Sequence, residues 1–367
     1  MKIMYLLTMS SKLTGYERVF SYISSFLSEE MHLKRIASLS GAVAGAMDGA
    51  RLGIAAIGKG LAAARGINSK HGIKQVDRLI SNPGIDVWNV FAYWVPHLVG
   101  DRKEIVVAFD WTDFDRDGHA TLAIHIVTSH GRASALIWKT YEKNKLKNKR
   151  NDYEDELLVR LSEVIPKGVS VTVLADRGFG DVELYSFLRE LGFHFVVRFR
   201  GNVTVTINGV SKLAKEWLHP SGRAQMFKGV EITQDGFHIP AFVCVKGEKM
   251  KEAWFLACSD VSKTAGEIVK LYGKRFKIEE SFRDIKNLRF GMGLSDVRIK
   301  STQRRDRMLL ICAIATTLQR SSLELNPLGL FLCPLFFPRR SHVGKATRDR
   351  LEKNNGQSHC AKGAQFK

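Results

Sequence analysis

The sequence predicts an α/β protein in which a helical N-terminal region precedes a domain built around a sheet. Two observations support this fold class. Residues from about 10 to 95 carry apolar side chains at helical spacing, as Ile73, Val76 and Leu79 do. From Lys103 onward, short apolar runs of strand length alternate with helical segments.

The order of the later elements narrows the fold class. Three strands joined by short polar loops are predicted by the runs EIVVAFDWT, HATLAIHIVTS and RASALIWKTY. Helices are predicted over 152–165 and 181–191, and each is followed by an apolar strand, over 169–175 and 193–198. Three antiparallel strands followed by helix, strand, helix and strand is the order of a ribonuclease-H-like domain.

Two further segments complete the predicted domain. Residues 200–258 alternate in polarity and contain turn residues, which predicts a β-rich insertion. Residues 264–287 are predicted to form one long helix that begins with a capping box of Thr264 and Glu267.

The chain therefore divides into three predicted regions. Residues 1–95 form a helical region expected to bind DNA, and residues 96–320 form the ribonuclease-H-like catalytic domain. Residues 321–367 form a basic C-terminal tail whose Pro, Cys and Phe clusters point to a truncated or frameshifted end.

Charge and cysteine content limit the possible partners and compartments. The chain carries 56 Lys and Arg against 37 Asp and Glu, a net charge of +19, which points to a polyanion and first of all to nucleic acid. Five cysteines without a C-x-x-C pair argue against a disulfide framework and a zinc ribbon, and favour a reducing, cytoplasmic setting. The apolar runs at 308–318 and 328–337 are shorter than the roughly 20 residues that span a bilayer, so no membrane partner is expected. The candidate DNA contacts in the helical region are the basic residues of one predicted helix, Lys70, Lys74 and Arg78.

Three acidic residues occupy positions that packing does not explain. Asp110 is predicted to end the first strand, Asp176 to end the buried strand, and Glu279 to lie in the middle of the long helix. Ligands of open α/β sheets gather at the carboxyl ends of strands. Two Asp and one Glu that converge there would hold two Mg²⁺ or Mn²⁺ ions, which prefer oxygen ligands. Two such ions catalyse phosphodiester cleavage.

The long predicted helix carries a stripe of polar residues beside Glu279. At about 100° per residue, Tyr272, Arg275, Glu279 and Lys286 fall on one narrow face. An aromatic residue, an Arg, an acid and a Lys on one face are typical of a metal ligand flanked by groups that bind phosphate.

The spacing Y-x2-R-x3-E-x6-K of this stripe resembles the signature of the DDE transposases of the insertion-sequence-four group, the bacterial cut-and-paste enzymes. DWT around Asp110 and ADRGF around Asp176 are similar to the first two acidic motifs of that family. The resemblance covers about residues 70–318. It implies that Asp110, Asp176 and Glu279 are the metal ligands, and that the transposon end is contacted by Tyr272, Arg275 and Lys286.

The resemblance also implies partners and a location. Double-stranded DNA, as transposon ends and as target, is the expected substrate, and a homodimer on DNA is the expected assembly. The expected location is the bacterial cytoplasm, at the nucleoid. Trp254 is similar to a Trp that stacks on a flipped base, and a buried strand aromatic is the alternative for it.

Three functions remain open on these residues. The first is an active transposase that cuts element ends with water and joins the freed 3′-hydroxyl to target DNA. The second is a metal-dependent nuclease on the same fold, against which the stripe of Tyr, Arg and Lys argues. The third is a DNA-binding remnant that regulates an intact transposase. The complete set of acids argues against this third function, whereas the unusual tail favours it.

Overall fold

The computed structural model describes residues 15–128, 132–289 and 291–325. The helices in these ranges are α1 (Gly15–Leu27), α2 (Leu33–Gly49), α3 (Ile54–Arg65), α4 (Ser69–Ser81), α5 (Val87–Val99), α6 (Arg150–Val164), α7 (Val182–Glu190), α8 (Ala265–Gly273), α9 (Phe276–Lys286) and α10 (Thr302–Leu325). The strands are β1 (Glu104–Phe114), β2 (His119–Val127), β3 (Ala133–Glu142), β4 (Ser170–Ala175), β5 (His194–Phe199), β6 (Thr204–Ile207), β7 (Val210–Leu213), β8 (Gln225–Ile232), β9 (Phe237–Val245) and β10 (Trp254–Cys258).

The described part of the N-terminal region, from residue 15 onward, is helical, as predicted. Helices α2 and α3 approach each other at glycines, because a Cβ atom at Gly45 would lie 2.3 Å from the carbonyl oxygen of Ile57. A Cβ atom at Gly60 would in turn lie 2.5 Å from the carbonyl oxygen of Gly45. The Gly-rich and Ala-rich sequence here therefore builds a tightly packed helix pair. Helix α5 continues across the predicted boundary between residues 95 and 96.

All ten strands belong to one mixed sheet in the order β3-β2-β1-β4-β5-β10-β9-β8-β6-β7. Strands β1, β4 and β5 run parallel to one another, and the other neighbouring pairs are antiparallel. The prediction of a mixed α/β architecture with N-terminal helices is confirmed. The β-rich segment 200–258 extends this same sheet, because β10 pairs directly with β5.

Two predictions about individual elements are wrong. Asp110 does not end the first strand: β1 pairs with β2 as far as Phe114, whereas its parallel pairing with β4 stops at Phe109 opposite Ala175. The predicted long helix over 264–287 is two helices, α8 and α9, separated by a turn at Lys274 and Arg275. The capping box of Thr264 and Glu267 at the start of α8 is present, as predicted.

Helices α8 and α9 cover one face of the sheet. Helix α8 buries Ile268 and Tyr272 against Leu174, Val196 and Leu256 of three adjacent strands. Helix α9 packs on β1, β2 and β3.

The apolar run 308–318 and the predicted tail differ in how much of each the structure describes. The apolar run 308–318 lies within the buried helix α10. Within the described ranges, no helix is long and apolar enough to cross a membrane. The first residues of the predicted tail 321–367, up to Leu325, belong to α10, and residues 326–367 lie outside the described part of the chain.

Candidate active site

Strand register places the two Asp residues side by side. Asp176 directly follows β4 and lies two positions beyond Leu174, so it shares the face on which α8 packs. Asp110 is the first residue of β1 beyond the last parallel pair, Phe109 and Ala175. Asp110 and Asp176 are therefore neighbours at the place where β1 and β4 part.

All three predicted acids converge on the guanidinium of Arg275. Its Nη1 atom lies 3.3 Å from Oδ2 of Asp110. Its Nη2 atom lies 3.9 Å from Oδ2 of Asp176 and donates a hydrogen bond to Oε1 of Glu279. The Arg275 side chain is only 3% exposed, whereas the three carboxylates are 22%, 34% and 46% exposed. The acids thus face solvent around a buried cation.

The turn between α8 and α9 positions Arg275. The Arg275 amide donates to the carbonyl oxygen of Tyr272 at 2.9 Å, and its own carbonyl oxygen accepts from the amide of Ile278 at 3.0 Å. The guanidinium carbon lies 4.8 Å from the centre of the Phe276 ring. Glu279 lies in the first turn of α9, where the helix dipole stabilises negative charge.

Asp176 has two further partners. The hydroxyl of Tyr272 donates to its Oδ1 atom at 3.2 Å. Tyr272 is fully buried, and burial together with the nearby Asp176 raises the pKa of its hydroxyl. Nη1 of Arg198 lies 3.9 Å from the same Oδ1, while its Nη2 donates to Oε2 of Glu252 at 2.7 Å.

Arg198 is the site residue that the sequence interpretation missed. It lies on β5 two positions beyond Val196, and therefore on the face of the sheet that carries Asp176. The available signal was a charged residue inside the otherwise apolar strand HFVVRF.

Asp110 binds a proton more readily than an exposed Asp does. Burial raises the pKa of Asp110 to about 6, although Arg275 and a hydrogen bond from the Trp111 amide lower it. The neighbouring Glu279 and Asp176 carboxylates add to the increase. Burial of the Asp110 carboxyl is thus the main cause of its raised pKa, and the attraction of Arg275 does not offset it.

Lys286, the last residue of α9, contacts Thr112, which lies two residues beyond Asp110 on β1. Its Nζ atom donates to Oγ1 of Thr112 at 3.2 Å and to the carbonyl oxygen of Asp113 at 2.7 Å. Burial lowers the pKa of Lys286. The side chain borders an open groove of about 670 Å³ that leads away from Asp110 and Glu279, far more space than a metal ion needs. The other basic residues along this groove are Arg283 and Arg289.

Three aromatic rings cluster beside the acids. The ring of Trp254 is half-buried and meets Tyr272 edge to face, with 5.0 Å between ring centres. Trp254 also lies 5.8 Å from Phe276, which is 39% exposed. The exposure of Phe276 was not predicted, because the segment was interpreted as one continuous helix.

The basic residues of α4 are not brought to this cluster by any described contact. Lys70, Lys74 and Arg78 are exposed and follow one another at intervals of four residues, so they share one face of α4. Asp77 of the same helix forms an ion pair with Arg304 of α10, at 2.7 Å. This pair, in which Asp77 is largely exposed, joins α4 to α10.

The three carboxylates supply the oxygen donors that Mg²⁺ and Mn²⁺ prefer. In the described part of the chain, however, no three His, Cys, Asp or Glu residues form a group that could hold a metal ion as they stand. The guanidinium of Arg275 occupies the space among the carboxylates. The donor chemistry fits a divalent cation, and the position of Arg275 stands in its way.

Comparison with known proteins identifies a family for most of the sheet-containing part of the chain. The family model described as "Transposase DDE domain" matches residues 101–318, more than half of the chain. The match begins just after α5, ends within α10, and contains all three acids. No curated protein matches the sequence.

Proposed function

The chain belongs to the family of transposase DDE domains, enzymes that act on DNA, and we propose that it is a cut-and-paste transposase of the insertion-sequence-four group. We assign its catalytic domain to the ribonuclease-H-like fold. One observation carries the proposal. Asp110, Asp176 and Glu279 are far apart in sequence but meet around one guanidinium, at the place where β1 and β4 part. The preserved spacing of Tyr272, Arg275, Glu279 and Lys286 supports the group assignment.

The chemistry assigned to the acids is phosphodiester cleavage and strand transfer. Asp110, Asp176 and Glu279 would bind two divalent cations, Mg²⁺ or Mn²⁺. When bound, these ions activate a water or a 3′-hydroxyl and stabilise the leaving oxygen. The hydroxyl of Tyr272 orients Asp176 by donating to its Oδ1 atom.

The groove beside Lys286 is the proposed path of the DNA backbone. Lys286, Arg283 and Arg289 line it, and cations on one wall of a groove bind successive phosphates. Tyr272 and Arg275 would reach the backbone only after leaving their carboxylate partners. Trp254 is proposed to stack on an unpaired base. Its ring is half-buried and packs on Tyr272, which donates a hydrogen bond to Asp176.

The N-terminal helices are proposed to hold the transposon end. The exposed basic face of α4, formed by Lys70, Lys74 and Arg78, suits contact with phosphates. A homodimer on DNA, acting in the bacterial cytoplasm, completes the proposal. A dimer would bring two ends together for joint cutting.

The test begins with the DNA that flanks the gene. Inverted repeats found there would supply the end sequence for a synthetic duplex, and a shuffled duplex of equal length would be the control. We expect Mg²⁺-dependent cutting at the repeat boundary of the first duplex only, and none with chelator. Equal cutting of both duplexes would identify a nuclease, and end binding without cutting would identify a remnant.

A further inference from the structure

Arg275 is the only side chain in the described ranges that contacts Asp110, Asp176 and Glu279 together. Its two terminal nitrogens divide the acids: Nη1 faces Asp110, and Nη2 faces Asp176 and Glu279. A guanidinium offers several donors in one plane, which lets one side chain join separate carboxylates. Arg275 therefore does at this site what a metal ion would do, since it holds three acids around one positive centre.

The charges at this centre do not cancel. Three carboxylates face one guanidinium, and the nearby Arg198 shares its charge with Glu252. The surplus is negative and lies where the carboxylates reach solvent. A divalent cation added here gains from every one of these acids, whereas another anion would be repelled.

The Arg275 side chain is also incompletely satisfied. Its Nε atom is buried and has no hydrogen-bond partner in the described structure. A buried donor without a partner costs free energy. This cost makes it less unfavourable for the guanidinium to move toward water or toward phosphate oxygens in the groove beside Lys286.

We propose that Arg275 is a built-in counter-ion, which keeps the three carboxylates together while no metal is bound and which a divalent cation must displace. The inference rests on the proposed metal-dependent function, and it adds that Arg275 and the metal ion compete for the three carboxylates. The displaced guanidinium then becomes free to bind a DNA phosphate. Metal entry and DNA contact are thereby coupled through one side chain.

The test compares Arg275→Gln with Lys286→Gln, using the full chain without DNA. Both variants lose one positive charge from the same stripe, but Lys286 contacts Thr112 and Asp113 and none of the three acids. Binding of Mn²⁺ is measured by calorimetry, and thermal unfolding is followed with and without Mn²⁺. A nearby opposite charge changes proton affinity by about 10- to 1000-fold, and we expect Arg275→Gln to tighten Mn²⁺ binding by at least about tenfold for the same reason.

The two variants should also differ in thermal stability. Without metal, Arg275→Gln is expected to unfold at a lower temperature than wild type, because its acids lack their counter-ion, and to gain more from added Mn²⁺. For Lys286→Gln we expect Mn²⁺ affinity within about threefold of wild type, since its charge is farther from the acids. Arg275→Lys retains the positive charge but lacks the planar guanidinium. Its Mn²⁺ affinity should lie between those of wild type and Arg275→Gln, so it provides the test if the Gln variant does not fold.

The outcomes separate this inference from the proposed function. If wild type binds Mn²⁺ and cuts DNA while Arg275→Gln binds Mn²⁺ no more tightly, the counter-ion inference is wrong and the transposase proposal stands. If Arg275→Lys is the variant measured, an affinity at or below that of wild type has the same meaning. If neither wild type nor the Arg275 variants bind Mn²⁺, both the inference and the metal-dependent function fail.

Discussion

Two buried arginines in this molecule have opposite surroundings. Arg305 of α10 is fully buried and forms an ion pair with Asp117, which is itself only 8% exposed. Its Nε atom donates to Nδ1 of His119 at 3.2 Å, and its guanidinium carbon lies 3.9 Å from the centre of the Phe114 ring. Arg275 is almost as buried but faces three acids that open onto a groove.

We interpret the difference as that between a structural ion pair and the cluster that we propose to be the active site. At Arg305 one positive charge meets one negative charge away from water, and Asp117 also accepts from the Ile299 amide at 3.0 Å. That pair fastens the turn after β1 to α10 and leaves no charge for a ligand. At Arg275 three carboxylates face one guanidinium and are accessible to solvent. Negative charge therefore remains there, and a cation from solution can bind to it.

The largest expected effect concerns the acids around Arg275. Asp110→Asn, Asp176→Asn and Glu279→Gln should each reduce DNA cleavage by at least about a thousandfold, because metal ligation supplies several kcal/mol of transition-state stabilisation. Gel-based cleavage assays measure this loss, and gel shifts should show end binding largely retained. The matched control is Glu280→Gln, an acid of similar exposure in the same helix that pairs with Arg132. Loss of activity in that control would mean that cleavage depends on acids of α9 outside the Arg275 cluster as well.

Arg305→Met should affect folding rather than chemistry. Removing one partner of a buried ion pair leaves Asp117 uncompensated and is expected to cost about 3–5 kcal/mol of unfolding free energy. Urea denaturation measures this change, and the double variant Asp117→Asn with Arg305→Met should recover much of it. A cost below about 1 kcal/mol for the single variant would show that the pair is not structural.

Asp306, the neighbour of Arg305 in sequence, should make the stability of the Arg305 region depend on pH. Burial raises the pKa of this carboxyl to about 7, and its Oδ1 atom has no partner in the described structure. The folded state therefore favours the protonated acid, whereas the unfolded state ionises near pH 4. Its contribution to stability is complete at low pH and is lost as the pH rises toward 7.

Asp306→Asn should remove that loss. Relative to wild type, the variant should be more stable at pH 8 than at pH 5 by about 3 kcal/mol, because about two pH units separate pH 5 from the folded pKa and each contributes about 1.4 kcal/mol. Urea midpoints at the two pH values provide the measurement. A difference between variant and wild type that stays constant over this range would mean that Asp306 is ionised in the folded protein at pH 5.

The smallest effect is expected at Lys286, where the two clusters meet. Its Nζ atom lies 5.3 Å from the centre of the same Phe114 ring that Arg305 contacts. Lys286→Ala should lower cleavage of end-bearing DNA by about tenfold or more, since a charged hydrogen bond to phosphate contributes about 1.5–3 kcal/mol. Cleavage rates at one salt concentration test this, alongside urea denaturation. Unchanged cleavage would remove Lys286 from the DNA groove.

The sequence identified the acids better than their surroundings. Asp176 could be predicted because an acid follows a continuous apolar strand, a local pattern. The pairing of Arg305 with Asp117 could not, because the partners are far apart in the chain and neither lies in a recognisable motif. The break at Lys274 and Arg275 was missed because helical periodicity continues on both sides of it.

The same limit applies to the strands. Asp110 was expected at a strand end, yet β1 continues to Phe114 because β2 pairs with it from Val107 to Phe114. Local sequence shows where a strand can form, but the end of pairing depends on which neighbour is present. The parallel neighbour β4 stops at Ala175, and that long-range fact places Asp110 beside Asp176.

The most direct test of the difference between the two arginine clusters is to locate a bound divalent ion. Fe²⁺ can replace Mg²⁺ at oxygen-ligand sites, and with ascorbate and peroxide it cuts the polypeptide next to where it binds. We expect fragments that end near residues 110, 176 and 279, suppressed by excess Mg²⁺ and lost in Asp176→Asn. Cutting near Asp117 and Arg305, or a fragment pattern that Asp176→Asn leaves unchanged, would contradict the assignment of the Arg275 cluster as the metal-binding centre.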